Sequence, residues 1–267
     1  MKSILINAFL VTALLVVQSC TTVPLTGRSQ LSLLPESSMV EMSLSSYDQF
    51  LSENKLSTNQ SQTDMIKRVG KRVAAAVEQY LKDNGFESYI ETFKWEFNLV
   101  ESDVPNAWCM PGGKVVFYSG ILPMTQNEAG VAVVMGHEIA HAVARHGNER
   151  MSYAMVQQMG GIALSEALKE KPAETQALFS TAYGLGSQYG VMLPFSRKHE
   201  YEADQMGLIF MAMAGYDPRS AVAFWKRMSE SGKSSTPEFL STHPVDVNRI
   251  AALEKLMPEA LKYYQGQ

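Results

Sequence analysis

Apolar residues recur at helical spacing over 64–81, where Ile66, Val69, Val73, Val77 and Leu81 fall on one face. That period predicts an amphipathic helix, and Asn84-Gly85 supplies its stop. The pattern then changes. Over 94–100, Lys94, Glu96 and Asn98 alternate with Trp95, Phe97 and Leu99, the period-two signature of a half-buried strand. Pro111-Gly112-Gly113 predicts a turn, and Lys114-Val115-Val116-Phe117-Tyr118 a second strand. A mostly apolar helix is expected over 127–146. Residues 151–190 read as helical but interrupted at Gly160-Gly161, Pro172 and Gly184. Further helices are expected over 197–214, 218–231 and 245–261, and a short one over 39–50 ahead of a polar break at 52–62. No internal repeat interrupts this order. The fold class is α+β with helix in excess, and residues 39–267 form one domain.

Composition narrows this picture only slightly. The chain has 267 residues, 46% hydrophobic and 19% charged, with a formal charge of −4. Those values suit a globular body and give no basic patch for nucleic acid. The N-terminus is more telling. Lys2 precedes an apolar run over 4–17, and Val17-Gln18-Ser19-Cys20 ends it with a small residue before cysteine. This resembles a bacterial lipoprotein signal over 1–19, with Cys20 acylated as the new N-terminus. The run is short for a bilayer span, which needs about 20 residues. Residues 20–38 would then be a tether to the body. The chain has two cysteines, so acylation of Cys20 leaves Cys109 without a disulfide partner, as a small half-buried thiol.

Candidate chemistry sits in the apolar helix. His137-Glu138-Ile139-Ala140-His141 puts two imidazoles four residues apart on one helical face. They can grip one metal ion, with Glu138 beside them to act as a base on water there. A catalytic zinc takes three protein ligands. His146 is a poor third, because the arrangement that uses a third His on the same segment needs Gly at position 144 and His at 147. This chain has Ala144 and Gly147. A better source is the segment 195–204. Glu200 and Asp204 are four apart on one helical face, whereas His199 and Glu202 point elsewhere. Glu200 from a second helix would complete the donor set, and Asp204 would accept a hydrogen bond from a ligand imidazole and fix its tautomer.

With these residues in place the chain resembles the zinc metallopeptidases of family 48. They include the CAAX prenyl proteases, HtpX and the Oma-type proteases, and the likeness is strongest to periplasmic lipoprotein members. The likeness spans nearly the whole mature chain. It runs through Thr22-Val23-Pro24-Leu25-Thr26-Gly27-Arg28, Val104-Pro105-Asn106-Ala107-Trp108, Pro111-Gly112-Gly113-Lys114, residues 137–146 and 196–204, and Ser241-Thr242-His243-Pro244 with Arg249. The resemblance implies a zincin-like domain with a small β-sheet over the active-site helix. It also implies one Zn2+ per chain on His137, His141 and Glu200, with Glu138 as general base. Where many relatives have Phe-Ala-Leu before the Pro-Gly-Gly, this chain has Trp108-Cys109-Met110, a departure that bears on the substrate cleft. His243 and Arg249 are candidates to hold the oxyanion, and His243 could instead cap the metal and keep the enzyme latent. The strand edge at Asn106, Ala107 and Trp108 is a candidate for pairing with an extended peptide.

The leading expectation is a lipid-anchored endopeptidase acting on misfolded or unassembled envelope proteins. Thr21, rather than Asp, after the lipid cysteine favours the outer membrane. The rival is a chaperone-like assembly or binding factor with a latent zinc site. An intact Glu138 favours the enzyme, since a structural zinc needs no base. A membrane-embedded protease is excluded because the mature chain has no long apolar span.

Overall fold

The computed structural model describes residues 20–188, 192–231, 238–244 and 247–265. The expected signal over 1–19 lies outside them. In chain order the elements are β1 (Cys20–Thr22), β2 (Ser29–Leu31), α1 (Glu36–Glu53), α2 (Gln60–Asp83), α3 (Glu87–Ile90), β3 (Glu96–Val100), β4 (Ala107–Met110) and β5 (Lys114–Tyr118). Then follow α4 (Leu122–Thr125), α5 (Glu128–Val143), α6 (His146–Leu168), α7 (Ala173–Ser187), α8 (Leu193–Met213), α9 (Ser220–Ser231), α10 (Glu238–Thr242) and α11 (Val247–Ala260). The expected α+β class with helix in excess is what forms.

Three strands make the main sheet in the order β3-β5-β4, with β3 parallel and β4 antiparallel to β5. Both faces are covered. Phe97, Leu99, Ala107, Val115 and Phe117 join the main core with the buried stripe of α2 and with α5. Val100, Val116, Trp108 and Tyr118 pack on the other face against Tyr47 and Phe50 of α1. Trp108 meets the Phe50 ring edge-on at 4.9 Å, so its side chain is turned away from α5. Alternation along β4 turns Ala107 and Cys109 toward α5 instead.

Helix α5 begins at Asn127, whose Oδ1 accepts the Gly130 amide at 3.0 Å, a side-chain cap of the usual kind. It ends earlier than the apolar pattern suggests. Arg145 adopts φ +54°, so the chain turns there and His146 opens α6 instead of closing α5. Gly160-Gly161 and Gly184 do not interrupt α6 and α7, since glycine inside a helix costs only about 1 kcal/mol relative to alanine.

The segment expected to be a tether is folded. β1 and β2 pair antiparallel, Val23 is buried in the main core, and Arg28 reaches Glu149 and Glu202. A buried apolar side chain and a half-buried guanidinium fix the strand pair to the body.

The decisive helix pair is α5 with α8. A Cβ on Gly136 would lie 2.7 Å from the Gly207 carbonyl oxygen, and one on Gly207 would lie 2.7 Å from the His137 nitrogen. Backbone therefore meets backbone at the turn that carries His137. Gly136→Ala is expected to push the helices apart and cost about 1–3 kcal/mol by overpacking. Chemical denaturation of the metal-free protein checks it, and an unchanged midpoint would contradict the close-approach argument.

Candidate metal centre

Helix α5 presents His137, Glu138 and His141, all buried. α8 presents Glu200 and Asp204, also buried. The loop after α10 brings in His243. One nitrogen or oxygen from each of His137, His141, Glu200 and His243 falls within 4.8 Å of the others, the one such donor group among the described residues. His137 Nε2 lies 3.1 Å from His141 Nε2 and 3.2 Å from His243 Nδ1. Glu200 lies 3.3 Å from each of the first two and 3.0 Å from His243 Nδ1. Donors about 2.0–2.1 Å from a tetrahedral zinc stand about 3.3 Å from one another. The residues present fit that ion in chemistry and in spacing.

Burial sets the electrostatics. His137 would be driven down by burial, but the hydrogen bonds it donates to Asp204 and Glu200 outweigh this and carry it up to about 9. His141 is held well below the ordinary imidazole value, chiefly by burial. Glu200, also opposed by burial, is drawn well down by His141 and His137. Burial pushes the Glu138 carboxyl up. Glu138 Oε1 is buried without a hydrogen bond, and His243 Nε2 stands 3.4 Å from it. A buried carboxylate oxygen left unbonded is costly, and such an atom beside a donor group is available to a reacting proton.

Each imidazole on α5 has its own support. His137 Nδ1 pairs with Asp204 Oδ1 at 3.0 Å, the arrangement that fixes a ligand tautomer. Asp204 is held in turn by Arg249, from Nε at 2.7 Å and Nη2 at 2.8 Å. Arg249 Nη1 lies 2.8 Å from the Pro244 carbonyl and 3.1 Å from Glu200, and the guanidinium carbon sits 4.3 Å over the Trp225 ring. Arg249, a candidate to hold an oxyanion, is engaged here within the protein. Its nitrogens are taken up by Asp204, Glu200 and backbone carbonyls, so it positions other residues. His146 stays outside the donor group and contacts His141 from behind, Nδ1 to Nδ1 at 2.8 Å. A helix-end residue or an outer contact to the site is what the sequence allows for His146, and the turn at Arg145 brings it behind His141.

Between β4 and the start of α6 lies a cavity of about 210 Å³ lined by Cys109, Met110, His141 and Arg150 among others. Cys109 faces α5, and burial pushes its thiol well up, which makes it a poor nucleophile. Asn106 is occupied: its Nδ2 donates to Glu238 at 3.1 Å and its Oδ1 accepts the Ala107 amide at 2.9 Å.

Residues 60–257 match the model of peptidase family M48. The chain is 36% identical over 197 residues to the mitochondrial metalloendopeptidase OMA1 of Schizosaccharomyces pombe, covering 73% of this chain and 53% of that protein. The human mitochondrial metalloendopeptidase OMA1 is 32% identical over 248 residues, 90% of this chain and 46% of its own length. The beta-barrel assembly-enhancing protease of Escherichia coli is 31% identical over 186 residues, 65% and 37% respectively. The chain thus spans about half or less of the length of the curated relatives it matches.

Two measurements follow from the Arg249–Asp204 pair. Arg249→Ala removes the buried cation that answers Asp204 and Glu200 and is expected to cost about 3–5 kcal/mol, read by denaturation of the metal-free protein. Asp204 is opposed by burial but drawn below its ordinary value by Arg249 and His137. A lowered folded value stabilises above the unfolded one of about 3.9 and is lost as pH falls through it. The midpoint should therefore drop below pH 4 in the wild type, more steeply than in Asp204→Asn. Parallel curves would contradict the pairing.

Proposed function

The chain belongs to peptidase family M48, and from that membership we propose that it is a zinc-dependent endopeptidase that cleaves polypeptides. The observation that carries the proposal is the buried group of His137, His141, Glu200 and His243 beside an unbonded Glu138 oxygen. His137, His141 and Glu200 would hold the ion. When bound, zinc supplies a Lewis acid that polarises a peptide carbonyl and acidifies water.

The chain's own groups do the rest. Glu138 accepts a proton from the attacking water and returns it to the departing amine. Its burial suits both steps, since a raised carboxyl holds a proton more readily near neutral pH. Asp204 and Arg249 keep His137 in the tautomer that leaves Nε2 free. The exposed edge of β4 offers main-chain groups to an extended peptide beside the cavity at His141.

His243 decides whether the site is open. Its Nδ1 occupies the fourth donor position of the group, and its Nε2 faces Glu138. A water and this imidazole cannot share that position, so in this arrangement His243 acts as a gate and the enzyme is latent. The loop must swing out for hydrolysis.

We further read residues 1–19 as a lipoprotein signal and Cys20 as its acylation site, which would anchor the enzyme to the bacterial envelope with the outer membrane favoured. Cys20 is exposed at the start of β1, as an acyl carrier must be. No helix among the described residues is long and apolar enough to cross a membrane. Envelope proteins that are misfolded or unassembled are the proposed substrates. The similarity to a beta-barrel assembly-enhancing protease supports this, although mitochondrial relatives match over more of the chain.

The test is casein cleavage by the purified protein, Glu138→Gln and His243→Ala, with bound zinc counted in each. Zinc near one per chain is expected in the wild type and in Glu138→Gln. Glu138→Gln should cut about 10²–10⁴-fold more slowly, and His243→Ala faster than wild type. Zinc without cleavage by any of the three would favour the binding-factor alternative, and absence of zinc would remove the metal reading altogether.

A further inference from the structure

Behind His141 lies a buried polar chain that the catalytic reading does not use. His141 Nδ1 meets His146 Nδ1 at 2.8 Å. His146 Nε2 meets Glu202 Oε2 at 2.9 Å. That oxygen receives Arg28 Nε at 2.8 Å, and Thr26 Oγ1 donates to the other at 2.5 Å. Arg28 also forks onto Glu149, Nη1 to Oε1 at 2.8 Å and Nη2 to Oε2 at 2.7 Å. Glu149 holds His199 Nε2 at 2.9 Å, and the His199 ring stacks on His146 at 4.0 Å. His146 and His199 are fully buried, and Glu149 and Glu202 nearly so.

The direction of this chain is determined at its far end. A carboxylate can only accept, so His146 must present Nε2–H to Glu202. The reverse order would set a bare ring nitrogen against a carboxylate oxygen with no proton between them. His146 Nδ1 is then an acceptor, and His141 must donate from Nδ1. That leaves His141 Nε2 as the free lone pair, and Nε2 is the atom that faces His137 and Glu200.

We propose that Arg28, on the N-terminal strand pair and far in sequence from either metal-bearing helix, is a positioning residue for the metal ligand His141: through Glu202 and His146 it sets the tautomer in which His141 Nε2 can bind zinc. His137 gets the same service from a single carboxylate, Asp204. His141 gets it through a longer chain, because α5 ends at Val143 and the turn places His146 between the ligand and the nearest acid. Arg28 is suited to the task by its fork, which fixes Glu202 under His146 and, through Glu149, the ring stacked on it. The inference rests on His141 being a zinc ligand.

The test uses the full chain, with zinc affinity measured by chelator competition and the metal-free unfolding midpoint measured alongside. Arg28→Met should weaken zinc binding about 10-fold, the lower end of what outer hydrogen-bond partners contribute. Arg28→Lys should recover part of it, since it restores the charge but not the fork. Nitrogen-15 NMR of the zinc-loaded wild type should show the proton of His141 on Nδ1, bonded to His146. A purely structural clamp would lower the metal-free midpoint and leave the zinc affinity of folded protein unchanged, and that result would overturn the proposal. So would a His141 proton on Nε2. If Arg28→Met does not fold, Thr26→Val removes the other bond to Glu202 without stranding a charge. It should weaken zinc severalfold, and unchanged affinity there overturns the proposal as well. Wild-type protein that binds no zinc would instead sink the ligand reading itself, which distinguishes the two failures.

Discussion

Everything at the metal centre depends on two helices touching at a pair of glycines. Gly136 precedes His137 directly, and Gly207 lies one turn beyond Asp204 on α8. With no Cβ on either, the α5 backbone approaches the α8 backbone closely enough for donors from both to share one ion. Side chains at these places would hold the axes at the ordinary 8–10 Å of packed helices. The gap would open at the turn that carries the first ligand. The chemistry is therefore set by what is missing from two residues as much as by what the histidines and carboxylates supply.

That close contact forces many charges out of water. His137, Glu138, His141, His146, His199, Glu149, Glu200, Glu202, Asp204 and Arg249 are all buried. Burying an ion costs several kcal/mol unless partners satisfy it, and the network meets this demand by alternation. Arg249 answers Asp204 and Glu200, Arg28 answers Glu149 and Glu202, and the histidines bridge the acids. Glu138 Oε1 is buried without a hydrogen bond, with His243 Nε2 3.4 Å away. That leaves it open to the proton-transfer role proposed for it.

The sequence made some of this legible and hid the rest for definite reasons. Helical period exposed α2, and alternation exposed β3, because burial acts on those residues one face at a time. The i,i+4 pairs His137 with His141 and Glu200 with Asp204 were readable because a helix converts that spacing into a shared face. The end of α5 was not, since Arg145 in a left-handed conformation is a non-glycine residue with no compositional signal. The short run Pro24-Leu25-Thr26-Gly27-Arg28 reads as a polar linker, because its burial comes from acids more than a hundred residues away. Glu202 and His199 point away from the metal, as expected. What spacing could not reveal is that they point into a second buried cluster instead of solvent. The partners of Arg249 were hidden for the same reason: they come from other elements.

The position of Arg249 also separates two tasks that the site must keep apart. The loop carrying His243 has to move if the fourth position is to open, while His137 must keep its orientation. The guanidinium divides along its own geometry. Nε and Nη2 lie on Asp204, and Nη1 reaches the carbonyls of His243 and Pro244 as well as Glu200. The contacts with the His243 and Pro244 carbonyls both come from Nη1, and that nitrogen also reaches Glu200. The Asp204–His137 pair then need not shift as His243 leaves. A lysine, with one ammonium in place of a planar fork, could not divide its bonds in this way. Under the proposed gating, the same residue would latch the closed loop and support the imidazole that has to outlast its opening.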